Sequence, residues 1–156
     1  MIRQARVFLP EDDQPAIVSP LHYNAAGIHY EQAEPIVVAS WQDAAPLAGA
    51  LRLALRQFVF CDRNLRESKK TDWPAYRASG CRSVSEFERL FLCLSVRAVN
   101  EAELFYDAEA RPRGEKQITL HVRLNRYHRD NEFAQPLLRL FAACWQWSSG
   151  KPMSEL

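Results

Sequence analysis

The chain has 156 residues, of which 47% are apolar and 25% charged. This length and composition are typical of one folded domain over residues 1–156, and they exclude a disordered, collagenous or coiled-coil chain. The formal net charge of +1 provides no overall field for nucleic acid or a membrane surface. No stretch approaches the ~18 consecutive apolar residues of a membrane span, so no membrane partner is expected.

Residues 1–26 are predicted to form an irregular N-terminal segment. Pro10, Pro15 and Pro20 interrupt it, and proline lacks the N–H group that helices and sheets use. Only Arg3 to Leu9 has the character of a strand, and we expect it at a sheet edge. The acidic run Glu11–Asp13 occupies the position where a signal peptide needs its apolar segment, so secretion by that route is not expected.

A hairpin is predicted next, formed by Gly27–Glu31 and Ile36–Trp41. Apolar residues lie at period two in both segments, at Ile28 and Tyr30 and at Ile36 and Val38, and the polar bend Gln32–Pro35 joins the segments. Asp43 then has the position of a helix N-cap, where a carboxylate accepts the free N–H groups of the first turn. Leucines at helical spacing after Asp43 predict an amphipathic helix that ends near Phe60.

A polar connection over Cys61–Gly80 separates this helix from the next element. Ser83 and Glu86 match a capping box, in which the two residues satisfy the free N–H groups of a helix start. This pattern predicts a short helix through about Arg89. The segment Phe91–Val99 fits both a helix and a strand, and we favour the strand because strand-like sequence follows it.

Two strands and a last helix complete the predicted fold. Glu103–Asp107 is strand-like, and Lys116–Asn125 alternates so regularly that one of its faces is expected to be buried and the other wet. The pattern over Gln135–Trp147 predicts a helix with Pro136 in its first turn, where the missing N–H costs nothing. Its apolar face comprises Leu137, Leu140, Phe141, Cys144 and Trp147. The prediction is an α+β domain with a mainly antiparallel sheet and about three helices packed on one face.

The sequence contains no motif for a catalytic, cofactor or metal site. The five glycines are too far apart for a phosphate-binding loop, and none of the four cysteines forms a C-x-x-C pair. We therefore predict no catalytic residue, no cofactor and no metal, and unpaired cysteines are typical of a reducing cytoplasm. One alternative remains open, a small enzyme that assembles its site in space from His121, Cys81 or the strand carboxylates.

A second alternative is an RNA-binding or adaptor domain. Basic and aromatic residues mix over Arg63–Arg77, namely Arg63, Arg66, Lys69, Lys70, Trp73, Tyr76 and Arg77. Such mixtures bind single-stranded RNA, because the cations follow phosphates while the rings stack on bases. The nearly neutral total charge argues against nucleic acid as the main partner.

Aromatic residues also predict a protein partner. Trp73 lies in the polar connection, and an exposed aromatic side chain is a typical interface anchor. Trp145 and Trp147 point about 200° apart on the last helix, so both cannot face the core. Trp73 is therefore our first candidate for a partner contact.

The run Ser83–Glu101 resembles immunity proteins of bacterial contact-dependent growth inhibition and related polymorphic toxin systems. Glu103–Asp107 and Ile118–Leu124 extend the resemblance, which covers about Ser83–Trp147. It implies a cytoplasmic protein without catalytic activity that binds the C-terminal toxin domain, frequently a nuclease, of a large secreted effector. The expected interface is tight, charge-complementary and 1:1.

The charge pattern supplies the candidate contact residues for such a partner. Residues 83–110 carry net −4, whereas 51–82 carry +5. We predict that the acidic block faces a basic cleft of the toxin through Glu101, Glu103, Asp107 and Glu109. The alternative, that the basic block meets an acidic toxin surface, remains open.

Overall fold

The computed structural model of the protein describes residues 2–62, 73–100, 102–110, 118–125 and 129–149. The elements in chain order are β1 (Arg3–Pro10), β2 (Ala16–Tyr23), β3 (His29–Glu31), β4 (Ile36–Val38), α1 (Ala44–Arg56), β5 (Val59–Phe60), α2 (Pro74–Ser79), α3 (Val84–Leu90), β6 (Phe91–Ala98), β7 (Glu103–Ala110), β8 (Ile118–Asn125) and α4 (Asp130–Ser149). Within the described residues, no helix combines the length and hydropathy needed to cross a bilayer.

The strands form one sheet in the order β3-β2-β1-β6-β7-β8, and β4 and β5 also pair with β2. Every pairing is antiparallel except the short parallel contact between β2 and β5. The predicted α+β class and mainly antiparallel sheet are confirmed. Since β8 pairs only with β7 among the described strands, it is an edge strand.

The main core lies between one face of the sheet and the helices α1 and α4. Alternate residues of the central strands point into it, for example Val7 in β1, Leu94 in β6 and Tyr106 in β7. The short helices α2 and α3 pack on the opposite face, where Phe87 contacts a smaller cluster around Phe8. The described part of the chain thus has four helices, two on each face, where the sequence suggests about three on one face.

The prediction of an irregular N-terminal segment is wrong. β1 is not an edge strand but lies between β2 and β6 in the middle of the sheet. Pro20 is tolerated inside β2 because of its orientation. Its carbonyl accepts a hydrogen bond from the Gln32 N–H at 2.9 Å, on the side of β2 away from β1. The missing N–H lies on that same side, so the β1 pairing loses no hydrogen bond.

The predicted hairpin of Gly27–Glu31 and Ile36–Trp41 is also wrong. β3 and β4 do not pair with each other; each pairs with β2, β3 opposite 21–23 and β4 opposite 16–18. They follow one another along β2 like a single strand interrupted by 32–35. Period-two alternation therefore identified the strands, but alternation alone does not specify their partner.

The first helix begins where the sequence predicts it. Asp43 has the N-cap position with extended backbone, although its side chain makes no capping hydrogen bond. The helix ends at Arg56 rather than near Phe60, since Val59 and Phe60 form β5 beside β2. Both β5 residues are about half exposed, so the apolar pattern there marks an edge strand and not a helix face.

The elements from α3 to β8 match the prediction closely. The Ser83 hydroxyl accepts from the Glu86 N–H at 3.1 Å, while the Glu86 carboxylate accepts from the Arg82 N–H at 2.7 Å. β6 is a strand, as favoured. In β8 the even-numbered residues from Ile118 to Leu124 pack on the main core and the odd-numbered ones are exposed.

The last helix begins earlier than predicted. α4 starts at Asp130, so Pro136 lies inside the helix and not in its first turn. The helix continues past this proline because Leu137, Leu140 and Cys144 are buried against the sheet and α1. Trp147 differs from the rest of the predicted apolar face, since it retains 37% of its surface exposed.

Candidate functional site

Over β6, β7 and β8, none of the described helices covers the sheet surface opposite the main core. The helices α2 and α3 occupy only the part of this face near Phe8, Ile17 and Phe91. We call the remaining surface the open face. Its outward side chains include Cys93, Ser95, Arg97, Glu103, Phe105, Asp107, Glu109, Thr119, His121 and Arg123.

Three of the four predicted acidic contact residues share this open face. Glu103, Asp107 and Glu109 alternate along β7 with the buried Leu104, so period two places them on the same side. Glu101, the fourth, lies outside the described residues. The described carboxylates that the charge pattern singles out are therefore neighbours on one surface.

Arginines from the neighbouring strands lie beside these carboxylates. Arg97 of β6 contacts Asp107 through Nη2 at 2.8 Å and Nε at 2.9 Å, both to Oδ2. Arg123 of β8 pairs with Glu103. The acidic block of the sequence is thus a surface of alternating charge in the folded protein, because cross-strand neighbours supply the cations.

A partly buried aromatic ring lies between the two arginines. The guanidinium carbons of Arg97 and Arg123 are 5.7 and 5.9 Å from the centre of the Phe105 ring. The strand register places these three residues directly opposite one another, with Phe105 in the middle. The ring and the carboxylates hold both guanidinium groups in place. A partner that contacts these groups would therefore cause a smaller loss of side-chain entropy.

Trp73, the predicted aromatic anchor, lies at the N-cap of α2 and is half buried. Its ring contacts Phe87 at 4.9 Å and Phe8 at 5.7 Å between centroids. Its indole N–H donates to Glu31 Oε1 at 2.7 Å. The residue is therefore fixed in place, and part of its ring lines a cleft beside the open face.

Glu31 is a buried carboxylate that the sequence analysis did not single out. Besides Trp73, its oxygens accept from the Ser19 hydroxyl and the Ala75 N–H, both at 3.1 Å. Arg6 approaches the same carboxylate at 3.6 Å. Because the Ala75 N–H belongs to the first turn of α2, Glu31 of β3 acts as a cap for this helix. Only the strand pairing reveals this role, since 44 residues separate Glu31 from Ala75.

Two residues of the enzyme alternative, His121 and Cys81, lie far apart, whereas the strand carboxylate Asp107 lies beside His121. His121 is exposed on β8, opposite Asp107. Cys81 packs with the cluster around Phe8 and Phe87. β1, which carries Phe8, and β8 are three strand spacings apart, about 14 Å. Among the described residues, no group of three or more His, Cys, Asp or Glu side chains could hold a metal ion.

The residues of the RNA alternative are described only in part. Arg63, Arg66, Lys69 and Lys70 lie outside the described residues. Tyr76 and Arg77 belong to α2, where Tyr76 packs against Phe87 at 6.2 Å between ring centres. The described part of this segment is therefore a short helix attached to the sheet.

A comparison of the sequence with protein-family models and with curated proteins gives no match. Among solved structures, the chain is similar to NMB0488, a protein of unknown function from Neisseria meningitidis, with a TM-score of 0.71 and 14% identity, covering 92% of this chain and 96% of that one. It is also similar to a chain of the CdiA-CT/CdiI toxin and immunity complex from Yersinia pseudotuberculosis. That match has a TM-score of 0.65 and 11% identity, covering 92% of this chain and 97% of the other. At these identities the likeness establishes the fold alone: the chain has a fold that occurs in a toxin and immunity complex.

Proposed function

We propose that this protein is an immunity protein of a bacterial contact-dependent growth inhibition system. It binds the C-terminal toxin domain of a secreted effector in the cytoplasm, as a 1:1 complex, and neutralises it without any catalytic activity of its own. The observation that carries this proposal is the similarity of nearly the whole fold to a chain of a toxin and immunity complex. The resemblance of the run Ser83–Glu101 to such immunity proteins supports the same conclusion.

We infer that the open face is the toxin-binding surface. It offers carboxylates and arginines on a rigid sheet, and part of each ion pair is exposed: 44% of the Arg97 side chain and 31% of that of Glu103. Alternating charges on a rigid surface favour one partner and one orientation, since a wrong partner meets like charges. The toxin would then contact Glu103, Asp107 and Glu109 through a complementary basic region.

Affinity capture tests the function directly. The tagged protein is expressed in its native cell, and the proteins that co-purify are identified by mass spectrometry. We expect one partner in equal amount that matches the C-terminal toxin region of a large secreted protein. Co-expression should then rescue cells from that toxin region. Absence of a stoichiometric protein partner would overturn the proposal.

A charge-neutralised variant tests the surface. We expect Glu103→Gln, Asp107→Asn and Glu109→Gln together to slow association with the captured toxin about tenfold at low salt, with a smaller effect at high salt. Surface plasmon resonance at two salt concentrations measures both rates. The matched control is Asp13→Asn, Glu34→Gln and Asp43→Asn, which removes three exposed carboxylates elsewhere. Equal association rates for the two variants would contradict the location of the interface, but not the immunity function.

A further inference from the structure

A cleft of about 610 Å³ opens beside the open face, between α3, the start of β6 and the last turns of α4. Aromatic rings form a large part of its lining, contributed by Phe8, Trp73, Phe87, Phe91 and Trp145. Four of these rings, all but that of Trp145, belong to the smaller cluster on the sheet face opposite the main core. Trp145 comes from α4, where it stacks on Phe141 with ring centres 5.9 Å apart. The cleft therefore joins the two sides of the molecule at one end of the sheet.

The aromatic wall is rigid. Phe87 contacts Phe8 at 5.2 Å, Trp73 at 4.9 Å and Phe91 at 4.9 Å between ring centres. Trp73 is additionally fixed by its hydrogen bond to the buried Glu31. The three phenylalanines are at most 5% exposed and hold Trp73 in place, so the partly exposed Trp73 ring can bind a ligand with little loss of side-chain entropy.

The charged residues of the cleft are predominantly acidic. Of the described residues, Glu11, Glu88 and Glu109 line it together with one cation, Arg89. The side chains of Glu11 and Glu88 are exposed, and within the described part of the chain neither makes an ion pair. Carboxylates beside aromatic faces are the surroundings that a cationic group prefers, because both attract positive charge. An uncharged apolar ligand would instead remove these carboxylates from water without compensation.

We propose that this cleft receives an arginine side chain of the protein partner. A guanidinium group is planar and weakly hydrated, so it can stack on Trp73 or Trp145 while it donates hydrogen bonds to Glu11 and Glu88. The proposal rests on the proposed function in one respect only, that the partner is a protein. The contact is an arginine of the partner that becomes buried at the end of the open face.

The test uses the full chain and a small probe, so that it does not require the toxin. N-acetyl-arginine amide is titrated into the ¹⁵N-labelled protein, and the tryptophan indole N–H signals are followed by NMR. The neutral probe N-acetyl-citrulline amide has nearly the same shape. We expect saturable shifts of the Trp73 and Trp145 indoles, with an affinity for the arginine probe about tenfold higher than for the citrulline probe. The Trp41 indole should not move, since it donates to the Gln14 carbonyl at 3.0 Å and the residue does not line the cleft.

Variants complete the test. The double change Glu11→Gln and Glu88→Gln should remove the preference for arginine, whereas Glu34→Gln, at an exposed carboxylate that does not line the cleft, should preserve it. Equal affinity for both probes, no shift with either, or a preference that survives the double change would each overturn the arginine site. Such results would leave the immunity function untouched, because affinity capture tests that separately. Conversely, failed capture together with a specific arginine shift would overturn the function and retain the site.

Discussion

At the scale of single residues, Glu31 links three structural elements on the sheet face opposite the main core. Its carboxylate is buried, and it accepts hydrogen bonds from Ser19, Trp73 and Ala75. It thereby connects β3 to β2 and to α2, and it orients one wall of the aromatic cleft. A buried acceptor with several donors is costly to replace, because the donors then lose their partner without regaining water.

We expect Glu31→Gln to lower the free energy of unfolding by about 2 kcal/mol. The amide has the same size, but its NH₂ group faces donors instead of accepting from them. Urea unfolding followed by circular dichroism measures the change. Glu34→Gln is the control, because this carboxylate is exposed on the connection between β3 and β4, and it should cost less than about 0.5 kcal/mol. Equal losses for the two variants would contradict the role of Glu31.

At the scale of elements, the N-termini of α1 and α3 differ, although the sequence predicts a side-chain N-cap for both. Ser83 caps α3 with its hydroxyl, which accepts from the Glu86 N–H. Asp43 has the same position at α1 but makes no side-chain capping bond. α1 is held by its buried leucines, such as Leu47 and Leu51, whereas the seven residues of α3 include only Phe87 as a buried side chain.

The two caps should therefore respond differently to removal. We expect Ser83→Ala to lower the free energy of unfolding by about 1 kcal/mol, the usual value for a lost N-cap. Asp43→Ala should cost less than about 0.5 kcal/mol, because no capping hydrogen bond is lost. Thermal and urea unfolding of both variants provide the comparison. A larger loss for Asp43→Ala would show that α1 depends on its cap after all.

The elements also show what sequence patterns can and cannot specify. β8 was predictable because Ile118–Asn125 lies on one edge of the sheet and alternates without interruption. The sequence predicts β1 as a strand but places it at the sheet edge, and it misses β2, because Pro10, Pro15 and Pro20 argue against strands. Only the pairing partners reveal that Pro20 loses no hydrogen bond to β1. The predicted α4 is too short because a proline at position 136 is typical of a first helical turn, whereas here it lies inside the helix.

The candidate site was predictable to a similar degree. The charge pattern singles out Glu103, Asp107 and Glu109, and the period-two geometry of β7 places them on one surface. The arginine partners were not predictable, because the register that brings Arg97 and Arg123 beside them depends on contacts between strands. The same limit applies to Glu31 and to the aromatic cleft, whose described walls come from five different parts of the chain.

At the scale of the whole molecule, two buried ionisable groups tie stability to alkaline pH. Tyr106 donates from its hydroxyl to the Phe133 carbonyl of α4 at 2.6 Å, and burial raises its pKa far above the usual 10, with Arg52 opposing. Burial also raises the pKa of the Cys144 thiol to about 11, with a further contribution from Glu109. Both groups stay protonated in the folded protein at a pH where they ionise in the unfolded chain.

We therefore expect the free energy of unfolding to be constant up to about pH 9 and to fall above it. The unfolded chain loses its thiol proton near pH 9 and its tyrosine protons near pH 10, whereas the folded chain keeps those of Cys144 and Tyr106. Tyr106→Phe should lose about 1 kcal/mol at neutral pH with its hydrogen bond, but show a shallower decline between pH 10 and 11. Urea unfolding from pH 7 to 11 measures both slopes. Parallel curves for the two proteins would contradict the assignment to Tyr106.

The central position of β1 has a consequence for synthesis on the ribosome. Phe8 of β1 is paired with Cys93 of β6, so the middle of the sheet joins the beginning of the chain to a segment made much later. Before β6 emerges, β1 can pair with β2 and pack against α1, but the edge of β1 that pairs with β6 stays without its partner strand. Folding is thus expected to be slow, because loop closure precedes the pairing. Under the proposed function, the protein would become competent to bind its toxin only after most of its chain has been translated.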